Sequence, residues 1–421
     1  MKKLTEFVSS HLNEDTTRLL LARNKWPDID MDLAVNCIES RRKLRGKVHE
    51  WYENPELIFP ARLSAEQCSS SATAFYKSVL AESIVKGYRL ADLTGGFGVD
   101  SWFFSKKGSK VMYNEMQEIL CKAAETNFKA LQADNIEISN HAVGNGQGES
   151  SPTEILKGFC PDIVYMDPAR RGEGGKKVFL IEECTPDVLT LKEEIFGICR
   201  HMLIKLSPMA DITMACDRLG PTCREVHVVA TGGECKELLI WMDREWSGEY
   251  SVHAVELPSN YPHTEPAGFP FLPSEEKTAI VSTEGSESGT YLFEPGKALM
   301  KAGAYNLISK RFGMAKLGKS THYYTFSNEE AISSLYGLGK IYRIISCEPL
   351  DKRTIKAAGK KYPKAEVTAR NIPMDTDTLR KKLGITSGDD AHIFGLKSDR
   401  SGNLLLCTDR VLKQYLQSDS Y

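Results

Sequence analysis

Apolar and polar positions change their period along this chain. Residues 15–23 and 31–51 carry apolar side chains at helical spacing with charges between them, which predicts two amphipathic helices. Pro27 and Asp28 separate the two and mark the start of the second. Ser64, with Gln67 at the capping-box position, predicts a further helix from about residue 65. From residue 88 the pattern turns into short apolar runs at 88–93, 110–115, 136–139, 162–166, 202–206, 225–230 and 237–242. Helical stretches such as 117–131 and 186–200 lie between most of them. Such alternation predicts an α/β fold, a mostly parallel Rossmann-like sheet with helices on both faces. The last two runs are joined by the turn 231–236, a link that only antiparallel neighbours permit.

Five prolines between 258 and 273 read as a linker or boundary. Beyond them, 278–282 and 290–293 read as strands and 296–311 as a helix. Runs at 341–346, 365–369, 391–395 and 403–407 read as strands around helices at 351–361 and 376–383. The expected organisation is a helical region over 1–87, the α/β domain over 88–257, and two small α+β domains over 258–325 and 326–421.

Composition agrees with several domains, since 421 residues exceed what one core supports. A hydrophobic fraction of 41% and a charged fraction of 26% are those of a soluble globular protein. The opening residues do not read as a signal peptide, and no apolar run is long enough to span a bilayer. The 11 cysteines include no Cys-x-x-Cys pair, so neither a zinc site nor a redox motif is expected. Free thiols in a reducing cytoplasm are the expectation. Charge changes the picture more. Residues 297–382 hold 18 Lys and Arg against 7 Asp and Glu, a local +11, which leaves −13 for the rest of a chain whose total is −2. A basic block on an acidic protein points to a polyanion partner, nucleic acid above all.

Two segments carry the candidate chemistry. In ADLTGGFGVD, residues 91–100, Asp92 ends a strand, Thr94 follows, and Gly95, Gly96 and Gly98 allow a tight turn with close backbone approach to a ligand. The next helix turns its amino end to that ligand. Glu115 ends the second strand, where a carboxylate accepts hydrogen bonds from ribose hydroxyls. The glycine spacing is not the G-x-G-x-x-G dinucleotide fingerprint, so a nucleoside cofactor is expected without a pyrophosphate site. In DIVYMDPARR, residues 162–171, Asp167 and Pro168 form a turn at a strand's carboxyl end, where ligands of open α/β sheets bind. Asp167 is placed to accept a hydrogen bond from an exocyclic amine. Arg170 and Arg171 are placed to meet a substrate phosphate. Lys205, in MLIKLSP, contacts substrate phosphate or steadies its turn. Among the hydroxyl residues of EQCSSSATAFYK, Ser71 and Thr73 either line the cofactor site or cap a helix. Cys235, Lys236 and Glu237 fall in the hairpin turn with no assigned role.

DLTGGFG together with DPAR resembles motifs I and IV of class I S-adenosylmethionine-dependent methyltransferases. LSAEQCSSSATAFYK, ADLTGGFGVD, DPARR, KLSPMAD and ECKELL resemble a bacterial methyltransferase family with a small ferredoxin-like domain and a THUMP-like domain at the C-terminus. ARNIPMDTDTLRKKLGI is similar to that THUMP-like module. The resemblance spans nearly the whole chain. It implies a seven-stranded methyltransferase sheet, S-adenosylmethionine as cofactor, and RNA docking through the basic block. It places cofactor contacts at Asp92, Gly96, Gly98 and Glu115 and the substrate turn at 167–170. Thr94 departs from the usual first glycine of motif I. Ala169 departs from the second proline of Asp-Pro-Pro-Tyr, and Arg170 stands where an aromatic residue would stack on a flipped base. Uracil C5 methylation needs a cysteine where this chain has Leu206, Ser207 and Pro208. The expected activity is therefore methylation of a base nitrogen in tRNA or rRNA. Methylation of a protein or small molecule, or a degenerate RNA-binding module, are the alternatives.

Overall fold

The computed structural model describes residues 2–170, 181–281, 283, 289–388 and 391–411. They form two compact units, Met1–Val226 with Lys236–Glu249, and His227–Cys235 with Tyr250–Tyr421.

The first unit opens with helices Lys2–Ser10, Thr16–Leu21, Met31–Leu44 and His49–Glu53. Leu4, Phe7, Val8, Leu19, Ala34 and Ile38 recur at helical spacing and close into one buried cluster. The third predicted helix start moves. Arg62–Gln67 forms a helix without a side-chain cap, and the capping box lies at Ser70 and Thr73, opening the helix Ser71–Ile84. A hydroxyl three residues ahead of another can exchange bonds with two orphan amides, which Ser64 and Gln67 do not do here.

The α/β part supplies strands β1 (Arg89–Asp92), β2 (Lys110–Asn114), β3 (Ile136–Ser139), β4 (Ile163–Met166), β5 (His201–Leu206), β6 (Cys223–Thr231) and β7 (Glu234–Asp243). β3, β2, β1, β4 and β5 are parallel neighbours in that order, and β7 pairs antiparallel with β5. β4 is buried at all four positions, as a central parallel strand covered on both faces must be. In the second unit, β8 (Ser251–Leu257) and β9 (Ala267–Phe271) pair antiparallel with each other. Part of the proline-rich stretch is thus strand. β9 is an edge strand, where Pro270 costs no ladder bond, and Phe269 and Phe271 alternate inward around it.

The second unit carries a seven-stranded sheet built from β10 (Tyr291–Pro295), β11 (Ala315–Lys316), β12 (Tyr324–Phe326), β13 (Gly339–Pro349), β14 (Glu366–Arg370), β15 (His392–Ser398) and β16 (Gly402–Arg410). β10 pairs with both β12 and β13, so the two predicted C-terminal segments share one sheet. The expected strand at 278–282 is not found among its described residues, 278–281. Pro273–Thr278 is helical, with Pro at its start and Glu275 closing a cap on the Leu272 amide. The expected helix 296–311 breaks at Gly303 into Lys297–Ala302 and Leu307–Phe312. On the helix Lys352–Lys361, Ile355 and Ala358 are buried while Lys352, Arg353, Lys356, Lys360 and Lys361 are exposed.

Candidate active site

Parallel register brings the two motifs together. Asp92 at the end of β1 lies opposite Tyr113 of β2 and Tyr165 of β4. The loops leaving β1 and β4 therefore start side by side, although 73 residues separate Thr94 from Asp167. The Asp167 amide donates to Thr94 Oγ1 at 2.6 Å. Thr94, where motif I usually has glycine, thus ties the glycine loop to the Asp167 turn through its hydroxyl.

The glycine loop is shaped by its neighbours. A Cβ on Gly95 would lie 2.2 Å from Cε2 of Tyr113, and one on Gly98 would lie 2.6 Å from Cζ of Phe128 at a φ of +85°. Tyr113 donates its hydroxyl to the Gly96 carbonyl at 2.6 Å. Glu115 accepts the Gly96 amide on Oε2 and the Gln117 amide on Oε1, each at 2.9 Å. A carboxylate has about four acceptor positions, so two remain for a ligand's hydroxyls.

Asp92 is buried and works inward. It accepts the Thr94 amide at 3.0 Å and the Ser101 hydroxyl at 2.6 Å. Burial above all, with the charges of Asp100 and Asp167, raises its carboxyl to about 7 against these hydrogen bonds. Between the ordinary value of 3.8 and about 7, the unfolded chain gives up a proton that the folded chain keeps. This group's stabilisation is therefore full below the lower value and lost as pH rises through the upper one. Chemical denaturation of the ligand-free protein should show stability falling from pH 5 to pH 8 by about 2–3 kcal/mol more than in Asp92→Asn. Equal pH slopes for the two proteins would remove this account of Asp92.

A cleft of about 250 Å³ runs along these loops. Asp92, Thr94, Gly95, Gly96, Gly98, Glu115 and Asp167 line it, with Met116, Leu120 and Val143 giving apolar surface. Pro168 is buried behind the turn. Ala169 and Arg170 leave it as a short strand paired with Cys184 and Thr185; the Arg170 side chain and all of Arg171 fall outside the described residues. Ser71 and Thr73 do not reach the cleft. Ser71 donates to Glu50 at 2.7 Å, and Thr73 is engaged in the helix cap with Ser70. The serines that line the cleft are Ser64 and Ser69.

Beneath the cleft lies a charge cluster that the sequence reading missed. Lys77, fully buried, places Nζ 2.9 Å from both carboxylate oxygens of Glu237 and donates to Ser69 Oγ at 2.8 Å. Its Nζ is also 3.2 Å from Asp100 Oδ1, an ion-pair contact without hydrogen-bond alignment. Asp100 Oδ2 accepts from Ser69 at 2.9 Å and from Tyr165 at 3.0 Å. Burial raises the Asp100 carboxyl, but Lys77 and Lys205, with these hydroxyls, bring it below its ordinary value. Glu237, left without a role in the hairpin, is thus the buried partner of Lys77. A charged residue opening the apolar run of β7 was the available signal, and an isolated glutamate does not name its partner.

The residues fit an adenosyl cofactor: a loop where Gly95 and Gly98 leave no room for a Cβ, a buried carboxylate at Glu115 with spare acceptor positions, and a polar pocket wall at Ser69 and Asp100. Asp92 supports the loop from within.

Residues 291–332 match the model of a ferredoxin-like domain, and residues 339–409 match that of a THUMP-like domain. The crystal structure of a candidate methyltransferase from Porphyromonas gingivalis W83 is similar over 97% of this chain and 98% of its own, at 29% identity and a TM-score of 0.82. A type I restriction-modification methyltransferase subunit from Streptococcus thermophilus matches 45% of this chain and 47% of its own, at 13% identity and a TM-score of 0.33. A candidate methyltransferase of Streptococcus mutans in complex with SAH matches 39% of this chain and 96% of its own, at 14% identity and a TM-score of 0.27. Among curated proteins none matches the chain. This chain has the class I methyltransferase architecture followed by a ferredoxin-like and a THUMP-like domain at its C-terminal end.

Proposed function

We propose that the protein is an S-adenosylmethionine-dependent methyltransferase acting on a base nitrogen of tRNA or rRNA. The observation that carries this reading is the joining of the glycine loop to the Asp167 turn by the Thr94–Asp167 hydrogen bond. It sets a nucleoside-shaped cleft beside a carboxylate suited to an amine. When bound, the cofactor supplies an activated methyl group on a sulfonium, so the protein's task is mainly positioning. Glu115 holds the ribose hydroxyls, and Met116, Leu120 and Val143 shelter the adenine from water. Asp167 accepts a hydrogen bond from the acceptor amine and orients its nitrogen. The THUMP-like segment and the exposed lysines of Lys352–Lys361 support RNA as the substrate class, since phosphate contacts need accessible cations.

The test is transfer of labelled methyl to total RNA from cells lacking the gene. Label in one RNA species supports the reading. Cofactor binding without label in any RNA would instead favour a protein or small-molecule acceptor, and loss of both a degenerate binding module. Changing Lys352, Lys356, Lys360 and Lys361 to Gln should weaken RNA binding about tenfold or more at moderate salt and flatten its salt dependence. Unchanged affinity in a filter-binding titration would remove this helix from the RNA contact.

A further inference from the structure

Lys205 is the residue of this site whose role neither motif explains. In the parallel pairing of β4 with β5, Met166 lies opposite Ile204. The next residues on the two strands are Asp167 and Lys205, and their side chains meet with Nζ 2.5 Å from Oδ2. The lysine side chain is 14% exposed and the aspartate 35%. Asp167 borders the cleft and Lys205 does not line it. Among the described residues, the Asp167 side chain has this partner alone, which leaves Oδ1 for a ligand.

We infer that Lys205 is a positioning residue for methyl transfer: it grips Oδ2 of Asp167 and so presents Oδ1 to the acceptor amine. This rests on the reading of Asp167 given above. Two contacts then hold the turn, Thr94 on its backbone and Lys205 on its side chain. A carboxylate pinned at one oxygen loses the rotation about its side-chain bonds that a free Asp-Pro turn would have. Less freedom remains to be lost when the acceptor arrives. Lys205 is fit for a permanent grip. Burial pulls its ammonium down, but Asp167, Glu237 and Asp100 outweigh burial and hold it above its ordinary value. The charges facing it come from three places: Asp167 after β4, Asp100 in the helix after the glycine loop, and Glu237 on β7. Lys47 also senses Lys205 as a like charge, so the neighbourhood is not uniformly acidic.

The experiment compares Lys205→Met and Lys205→Arg with the wild-type chain, using total RNA from cells lacking the gene as acceptor. Lys205→Met should lower kcat about 10- to 100-fold while leaving KM for RNA and affinity for S-adenosylhomocysteine close to wild type. Lys205→Arg, which can still pair with Oδ2, should recover much of the loss. A residue that merely held the fold together would raise KM and weaken cofactor binding as well, and the charge-conserving variant would not restore kcat selectively. Wild-type kcat in Lys205→Met overturns the inference. Should the wild-type protein methylate no RNA, the reading of the substrate fails, and hydrogen exchange still decides the role of Lys205. Faster exchange at the Asp167 amide in Lys205→Met, with the β4 amides unchanged, supports the grip. Equal exchange there overturns it.

Discussion

Replacing Asp167 with alanine is expected to lower kcat for methyl transfer to RNA about 100-fold or more, because it removes the group that orients the acceptor amine. Affinity for S-adenosylhomocysteine should change by less than about threefold, since the ribose and loop contacts proposed above come from Glu115 and the glycines. The loss of the Lys205 partner should cost folding less than the change at Lys77, because Glu237 and Asp100 still face the lysine and its side chain keeps 14% exposure. Asp167→Asn keeps an acceptor oxygen and should retain more activity than Asp167→Ala. Single-turnover measurements at saturating RNA, alongside calorimetric titration of the cofactor product, separate the two effects. A kcat within a few-fold of wild type in Asp167→Ala would take the chemistry away from this turn.

Lys77→Met is expected to be the most destabilising single change at the site. It strips the counter-charge from Glu237, which is 2% exposed, and from Asp100, which is 9% exposed. Breaking one partner of a buried ion pair costs about 3–5 kcal/mol because the remaining charge stays desolvated. Urea unfolding followed by circular dichroism gives the number. Lys77→Met combined with Glu237→Leu should recover a large part of the loss, because an apolar pair of similar volume is often as stable as the ion pair it replaces. If the double variant were as unstable as the single one, packing rather than charge would explain Lys77. The cluster sits directly under Ser69 and Asp100 of the cleft wall, so its cost is borne where ligand contacts must be held in place.

These two expectations differ in how visible they were in the chain. Asp167 announces itself. An acidic residue and a proline after the apolar run 163–166 can be read as a turn at a strand end. Lys77 and Glu237 do not. They are separated by 160 residues, and each looks like an ordinary polar position in its own segment. Thr94 is intermediate. Its departure from glycine was visible, but its use as an acceptor for the Asp167 amide depends on β1 and β4 being neighbours. Ser71 and Thr73 show the converse. Their hydroxyls suit a ligand or a helix cap equally, and the start of Ser71–Ile84 uses Thr73 for the cap.

The sequence by itself determined the local elements and the two loops. Period-two and continuous apolar runs, glycines before a helix, and an Asp-Pro step are short-range signals that act within a few residues. The α/β order and the short hairpin link followed from them, as did the resemblance that implied the cofactor. Only the tertiary structure decided which strands adjoin, that β8 pairs with β9 out of the proline-rich stretch, and that both C-terminal segments share a sheet. It alone paired Lys205 with Asp167 and buried Lys77 against Glu237. Strand neighbours are chosen by burial of whole faces, a property of the assembled layers. Ion pairs across strands inherit that choice and leave no periodic trace in the chain.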